Sequence, residues 1–146
     1  MRIRDVRNEG GRAYAAFAAE HGLSLPEYAR LLTAEVARNV ALMHNLGKAH
    51  GYLSSHNVTI DGCVVDFDSV SAGSPKKIAK DVREVLDTLT NFSNLKCVDP
   101  EVFLEAYFKN RNNIPSRELR KLALWLLSDR RMGLAEAKRL IGLSRR

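Results

Sequence analysis

The chain has 146 residues, 45% of them hydrophobic and 27% charged, which is enough apolar material for one folded core. It contains no apolar run long enough to cross a bilayer, and its charged start, Met1 to Arg7, lacks the apolar stretch of a secretory leader. The net charge of +6 is uneven: Asn110 to Arg146 carries ten Arg/Lys against three Asp/Glu. That tail has neither aromatic interleaving nor zinc-ligand spacing, so it reads as a basic helix surface and nucleic acid is not the expected partner.

Gly10-Gly11 marks a turn, and Arg12 to Glu20 reads as a short Ala-rich helix closed by His21-Gly22, with His21 as a polar cap. Ser24-Leu25-Pro26-Glu27 is a strong helix start, because Ser24 and Glu27 can form a capping box and proline is tolerated in the first turn. Tyr28, Leu32, Val36, Val40 and Met43 recur at helical spacing with Leu31, Leu42 and Leu46 beside them, which predicts a central helix that Gly47 stops. His44, late in that helix, is expected to cap or to interact with the helix dipole.

Val58-Thr59-Ile60 and Cys63-Val64-Val65 are rich in β-branched residues. Asp61-Gly62 between them predicts a hairpin with a two-residue turn, the one confident piece of β-structure. Cys63 and the other cysteine, Cys97, lack CxxC spacing and read as buried thiols in a reducing, cytoplasmic compartment. Ser69 to Ser74 is a small-residue loop, and Ser74-Pro75 opens a helix with an apolar stripe of Ile78, Val82, Val85, Leu86, Leu89 and Phe92. Asp81 lies inside that helix beside the stripe, a position that requires a partner. Asp99-Pro100 starts another helix with Val102, Phe103, Ala106 and Tyr107 as core. Asn112 to Pro115 is a linker, and Ser116 caps a helix containing Leu119, Leu122, Trp125 and Leu126. Gly133 to about Ile141 closes the chain with a short helix. The fold class is mainly α with one β-hairpin, in a single domain over residues 1–146: a core at 24–92 and basic helices at 99–146.

The predicted hairpin brings Asn57 and Asp66 to one end. An amide oxygen beside a carboxylate is a hard, oxygen-only environment that suits a magnesium ion carrying nucleotide phosphates.

His50-Gly51-Tyr52-Leu53-Ser54-Ser55-His56-Asn57, followed one hairpin later by Val65-Asp66-Phe67-Asp68, resembles the catalytic and metal-binding loops of the protein-kinase-like fold. The helix before this run resembles the one that leads into the catalytic loop. The helix bearing Asp81 resembles the buried central helix of the large lobe. The resemblance implies that Asn57 and Asp66 hold Mg2+ and ATP, that His50 braces the loop backbone, and that Asp81 anchors it. Tyr52 stands where kinases place the catalytic aspartate, and a phenol is a poor base near neutral pH. Asp68 replaces the glycine of Asp-Phe-Gly, at a turn that aspartate can tolerate.

The His50-Gly51 start and the missing aspartate are closest to the selenoprotein O family, kinase-like proteins that transfer AMP to protein hydroxyls. In that family the candidate base immediately precedes the metal-binding asparagine, which corresponds to His56 here; an imidazole can act as a base near pH 7. The residues before Ser24 lack the glycine-rich lid and lysine-bearing sheet of a small lobe. The expectation is therefore a large lobe that is inactive alone. It would transfer AMP or phosphate to a hydroxyl of a protein substrate when a partner chain supplies the small lobe. The alternative is a non-catalytic pseudokinase module that docks a partner through its basic C-terminal helices.

Overall fold

A computed structural model describes residues 1–8 and 10–146. Among them the chain is mainly helical with one two-stranded antiparallel sheet. The helices are α1 (Ile3–Asn8), α2 (Arg12–Glu20), α3 (Leu25–Asn45), α4 (Pro75–Phe92), α5 (Pro100–Asn110), α6 (Ser116–Ser128) and α7 (Leu134–Ile141). The strands are β1 (Lys48–Ala49) and β2 (Ser71–Ala72), with Lys48 opposite Ala72 and Ala49 opposite Ser71. No helix among the described residues is long and apolar enough to cross a membrane.

α3 is the central element and begins as its sequence dictates. The Glu27 N–H donates to Ser24 Oγ at 3.3 Å and the Ser24 N–H to Glu27 Oε2 at 2.8 Å, completing the capping box. Tyr28, Leu32, Val36 and Val40 are buried, as are Ala29, Ala37 and Ala41, and α5 packs along the helix. Leu31, Leu42 and Leu46 are not part of this face. They sit on the flanks of the helix and are exposed. α4 buries Ile78, Val82, Val85, Leu86 and Leu89. Phe92, at its last position, leaves the stripe; it is half-exposed beneath the Arg7 guanidinium, 5.7 Å from the ring centroid. Trp125, Phe103 and Tyr107 lie in the core.

The β-structure differs in place from expectation. Regular pairing occurs between β1 and β2, the latter inside the predicted small-residue loop. Residues 57–65 form a short ladder instead, with a bridge between Val58 and Val64 and backbone bonds Thr59 N–H to Cys63 O and Val65 N–H to Asn57 O, both 2.9 Å. Its loop has three residues, Ile60 to Gly62. Gly62 adopts φ +90° above α3, where an added Cβ would come within 2.9 Å of Glu35 Cγ. The ladder is short because 3₁₀ turns at Ser55–Asn57 and Phe67–Ser69 bend both strands away. Its outer edge is taken by the start of the chain: Ile3 N–H donates to Val58 O and Ile60 N–H to Met1 O, each at 2.9 Å.

Two smaller expectations also change. Both cysteines are exposed rather than buried, Cys63 in the ladder's return strand and Cys97 in the α4–α5 loop. Ser116 is the first residue of α6 rather than its cap, a position held by Pro115. The 112–115 linker is tied down by the chain end, with Asn113 N–H donating to Arg145 O at 2.8 Å.

Candidate functional site

Asp81 has the partners its burial requires. Its side chain is fully buried, and it accepts from the backbone N–H of His50 at 2.7 Å and of Gly51 at 3.1 Å. A third donor is His44, whose Nε2 lies 3.1 Å from Asp81 Oδ2. An aspartate within α4 thus fixes the start of the loop that follows β1, replacing the water those groups would lose on burial.

The brace extends well beyond Asp81. Desolvation drives the His44 pKa below its ordinary value; the bond to Asp81 opposes this less strongly. The neutral ring donates from Nε2 to Asp81 and accepts at Nδ1 from the Tyr107 hydroxyl at 2.8 Å, a tautomer fixed by its two neighbours. The Tyr107 oxygen accepts in turn from Arg111 at 2.6 Å, and Arg111 pairs with buried Glu118. The Tyr107 pKa is raised, above all by burial. Asn45 Oδ1 accepts from Arg111 Nε at 3.1 Å and from Asn112 N–H at 2.9 Å. A continuous buried polar chain therefore joins α6, α5, α3 and α4 to the loop at His50. His44 is a member of this chain, not a helix cap as its place in the sequence suggested; it faces α4 and α5 rather than the helix end.

His50 is fully buried, with Nε2 2.9 Å from Val65 O and Nδ1 accepting from Tyr52 N–H at 3.3 Å. It links the loop to the return strand of the ladder. Gly51 has φ +91°, and a Cβ there would lie 3.1 Å from Ser69 O, so the turn after Asp66 closes directly on the loop. Ser55 N–H donates to Thr88 Oγ1 of α4 at 2.7 Å.

On this base stand the predicted ligands. The Val65–Asn57 backbone bond sets Asn57 opposite Val65, one residue before Asp66. Asn57 Nδ2 donates to Tyr52 O at 2.8 Å, which turns Oδ1 the other way. Asp66, half-exposed, carries the left-handed backbone of the segment (φ 66°), whereas Asp68 lies in the 3₁₀ turn that follows. The Asp66 carboxylate is 3.6 Å from the Arg2 guanidinium. The backbone thus brings the two ligands to one end of the ladder, while their side chains are held by different partners. Among the described residues no group of three or more His, Cys, Asp or Glu could form a metal cage. Two oxygen ligands suit a magnesium ion that takes its remaining ligands from phosphates and water.

His56 is exposed, its backbone N–H bonded to Ser54 Oγ at 3.2 Å. Tyr52 is also exposed, with Lys80 Nζ 5.2 Å from its ring centroid; the same ammonium donates to Gly51 O at 2.6 Å. Lys80, Arg2, Thr88 and His44 are the residues that sequence reasoning missed here. Lys80 carried a weak signal, as the neighbour of Asp81; the contacts of the other three depend on tertiary packing.

The chain matches no protein-family model, no curated protein and no solved structure.

Proposed function

We propose that the chain is the large lobe of a kinase-like, ATP- and Mg2+-dependent transferase that moves AMP or phosphate to a hydroxyl once a small lobe closes over it. The observation that carries the reading is Asp81 accepting from both backbone N–H groups of His50-Gly51. Nothing in the core demands that a buried carboxylate hold a loop backbone; a loop that must present groups at a fixed place does.

On this reading Asn57 Oδ1 and the Asp66 carboxylate hold the metal, while His50 and Asp81 keep their backbone in place. The bound nucleotide and its ion would supply the transferable group. Arg2 stands in for a cation at Asp66. Such a half-exposed pair is worth only about 0–1 kcal/mol, so a divalent ion displaces it at little cost. His56, exposed beside Asn57, is free to take a proton from an incoming hydroxyl. The lysine at Gly51 O adds positive charge where phosphate would arrive.

The test is magnesium-dependent nucleotide binding, followed by transfer from ATP labelled at the α- or γ-phosphate with a small lobe supplied. The α-label on protein identifies AMP transfer and the γ-label phosphorylation. Absence of both labels rejects the transferase.

A second reading, a non-catalytic pseudokinase module, draws support from Tyr52 at the base position and from Arg2 on Asp66. It predicts that Asn57→Ala and Asp66→Ala leave partner binding intact. If either substitution abolishes partner binding, this reading fails.

A further inference from the structure

The cations of the C-terminal part are not equivalent. Arg111 is paired with Glu118, Arg130 lies 3.8 Å from Asp87, and Arg139 reaches Glu101, Glu105 and Glu136 at 2.6–3.1 Å. These charges are answered within the fold. A different set is not. Lys76, Lys80 and Arg83 fall at i, i+4 and i+7 on α4, and Arg117, Arg120 and Lys121 at i, i+3 and i+4 on α6, all of them exposed. Among the described residues only Lys80 of these six has an acidic partner, Glu84 at 3.6 Å. The one acid of this part of α6, Glu118, is turned inward to Arg111, which leaves the outer face cationic.

Between the two stripes lie two adjoining depressions of ≈ 330 and ≈ 460 Å³, with Lys76, Lys121 and Leu124 common to both. Each is large enough to take up anchoring side chains. The larger is lined almost wholly by carbon, from the stems of the long cations, Pro75 and Leu124; the smaller adds Ala79 and Trp125 but also Ser128 and one acid, Asp129, against its four cations. Leu124, at i+7 from Arg117, is 61% exposed, an apolar residue presented in the middle of a cationic surface.

We propose that this α4–α6 groove docks an acidic amphipathic helix of a partner protein, its apolar residues on Leu124 and its carboxylates on the two cationic stripes. Charge complementarity selects the acidic character, and the carbon lining selects the apolar anchors. Nucleic acid fits less well. Unstacked bases need an aromatic platform, and the aromatic side chain here, Trp125, is only 7% exposed. The inference is independent of group transfer, because five of the six cations have no contact with the loop at His50–Asn57.

The experiment is fluorescence anisotropy with the full chain and three probes: a labelled helical peptide with leucines at i, i+3 and i+4 among glutamates, the same peptide with serine for leucine, and a uridine oligonucleotide. The amphipathic peptide is expected to bind best. The double variant R120E/K121E should weaken it at least about tenfold, Leu124→Ser about threefold with no change in charge, and Lys138→Glu outside the groove hardly at all. All four positions are exposed, and an unchanged thermal unfolding curve shows that the fold is intact. Four results would overturn the proposal: no binding of the amphipathic peptide, equal binding of the serine peptide, loss on Lys138→Glu as large as on the double variant, or displacement of the peptide by the oligonucleotide.

Discussion

The two ends of the loop at His50–Asp66 are built in opposite ways. At its root, Asp81, His44 and His50 are buried, and Asp81 accepts from three donors. At its tip, Asn57, Asp66 and His56 are at least partly open to solvent, and the contact to Asp66 is a loose pair with Arg2. The contrast separates stability from chemistry. The root holds the backbone in place, and the tip presents polar groups whose contacts cost the fold little.

Asp81→Ala breaks that contrast most severely. It strands the His50 and Gly51 N–H groups and His44 in a dry interior, so about 3–5 kcal/mol of stability should be lost in chemical denaturation. A loss under about 1 kcal/mol would mean that water reaches the root. Gly51→Ala comes next, at about 1–3 kcal/mol, because it forces a side chain into positive φ against Ser69 O. A wild-type melting curve for that variant would show that the loop and the following turn part easily.

A gentler probe of the root is pH. Burial lowers the His44 pKa, so the unfolded chain, near the ordinary 6.5, binds this proton more readily than the folded one. The contribution of His44 is full above that value and declines as pH falls toward the folded pKa. Unfolding free energy measured from about pH 8 down to about pH 5 should fall, and His44→Gln should flatten the slope. An identical slope in the variant assigns the effect elsewhere.

The smallest effects belong to the tip. Arg2→Ala and Asp66→Asn should each change stability by less than about 0.5–1 kcal/mol. On the proposed transferase reading, Asp66→Asn should nevertheless remove magnesium-dependent nucleotide binding, and Arg2→Ala should strengthen it. Unaltered nucleotide affinity in both would take the metal away from Asp66.

Much of the root was legible in the sequence. A carboxylate beside an apolar stripe demanded a partner, and Asp81 found one in the loop at His50-Gly51. Ser24, Ser74 and Asp99 announced their helices through local capping chemistry, which a single turn of chain determines. The misses share a cause. His44 reads as a late helix residue until α4 and α5 surround it. Arg2 meets Asp66 only because the start of the chain pairs with Val58–Ile60. The cysteines look like core residues by type, yet both are exposed. Contacts made by residues far apart in the chain leave no periodic trace.

The β1–β2 pairing has a topological consequence. With Ala49 opposite Ser71, the segment between them is a loop whose ends are already fastened side by side. Lengthening it adds the slow, logarithmic entropy cost of a longer closed loop, and at Asp61-Gly62 it would also disturb the turn's seat on α3, where Asn39 Nδ2 donates to Gly62 O at 2.9 Å. A one-residue shift within β1 or β2 would displace both ends at once. Insertions should therefore be resisted at the two short strands most of all, since these fasten both ends of the segment.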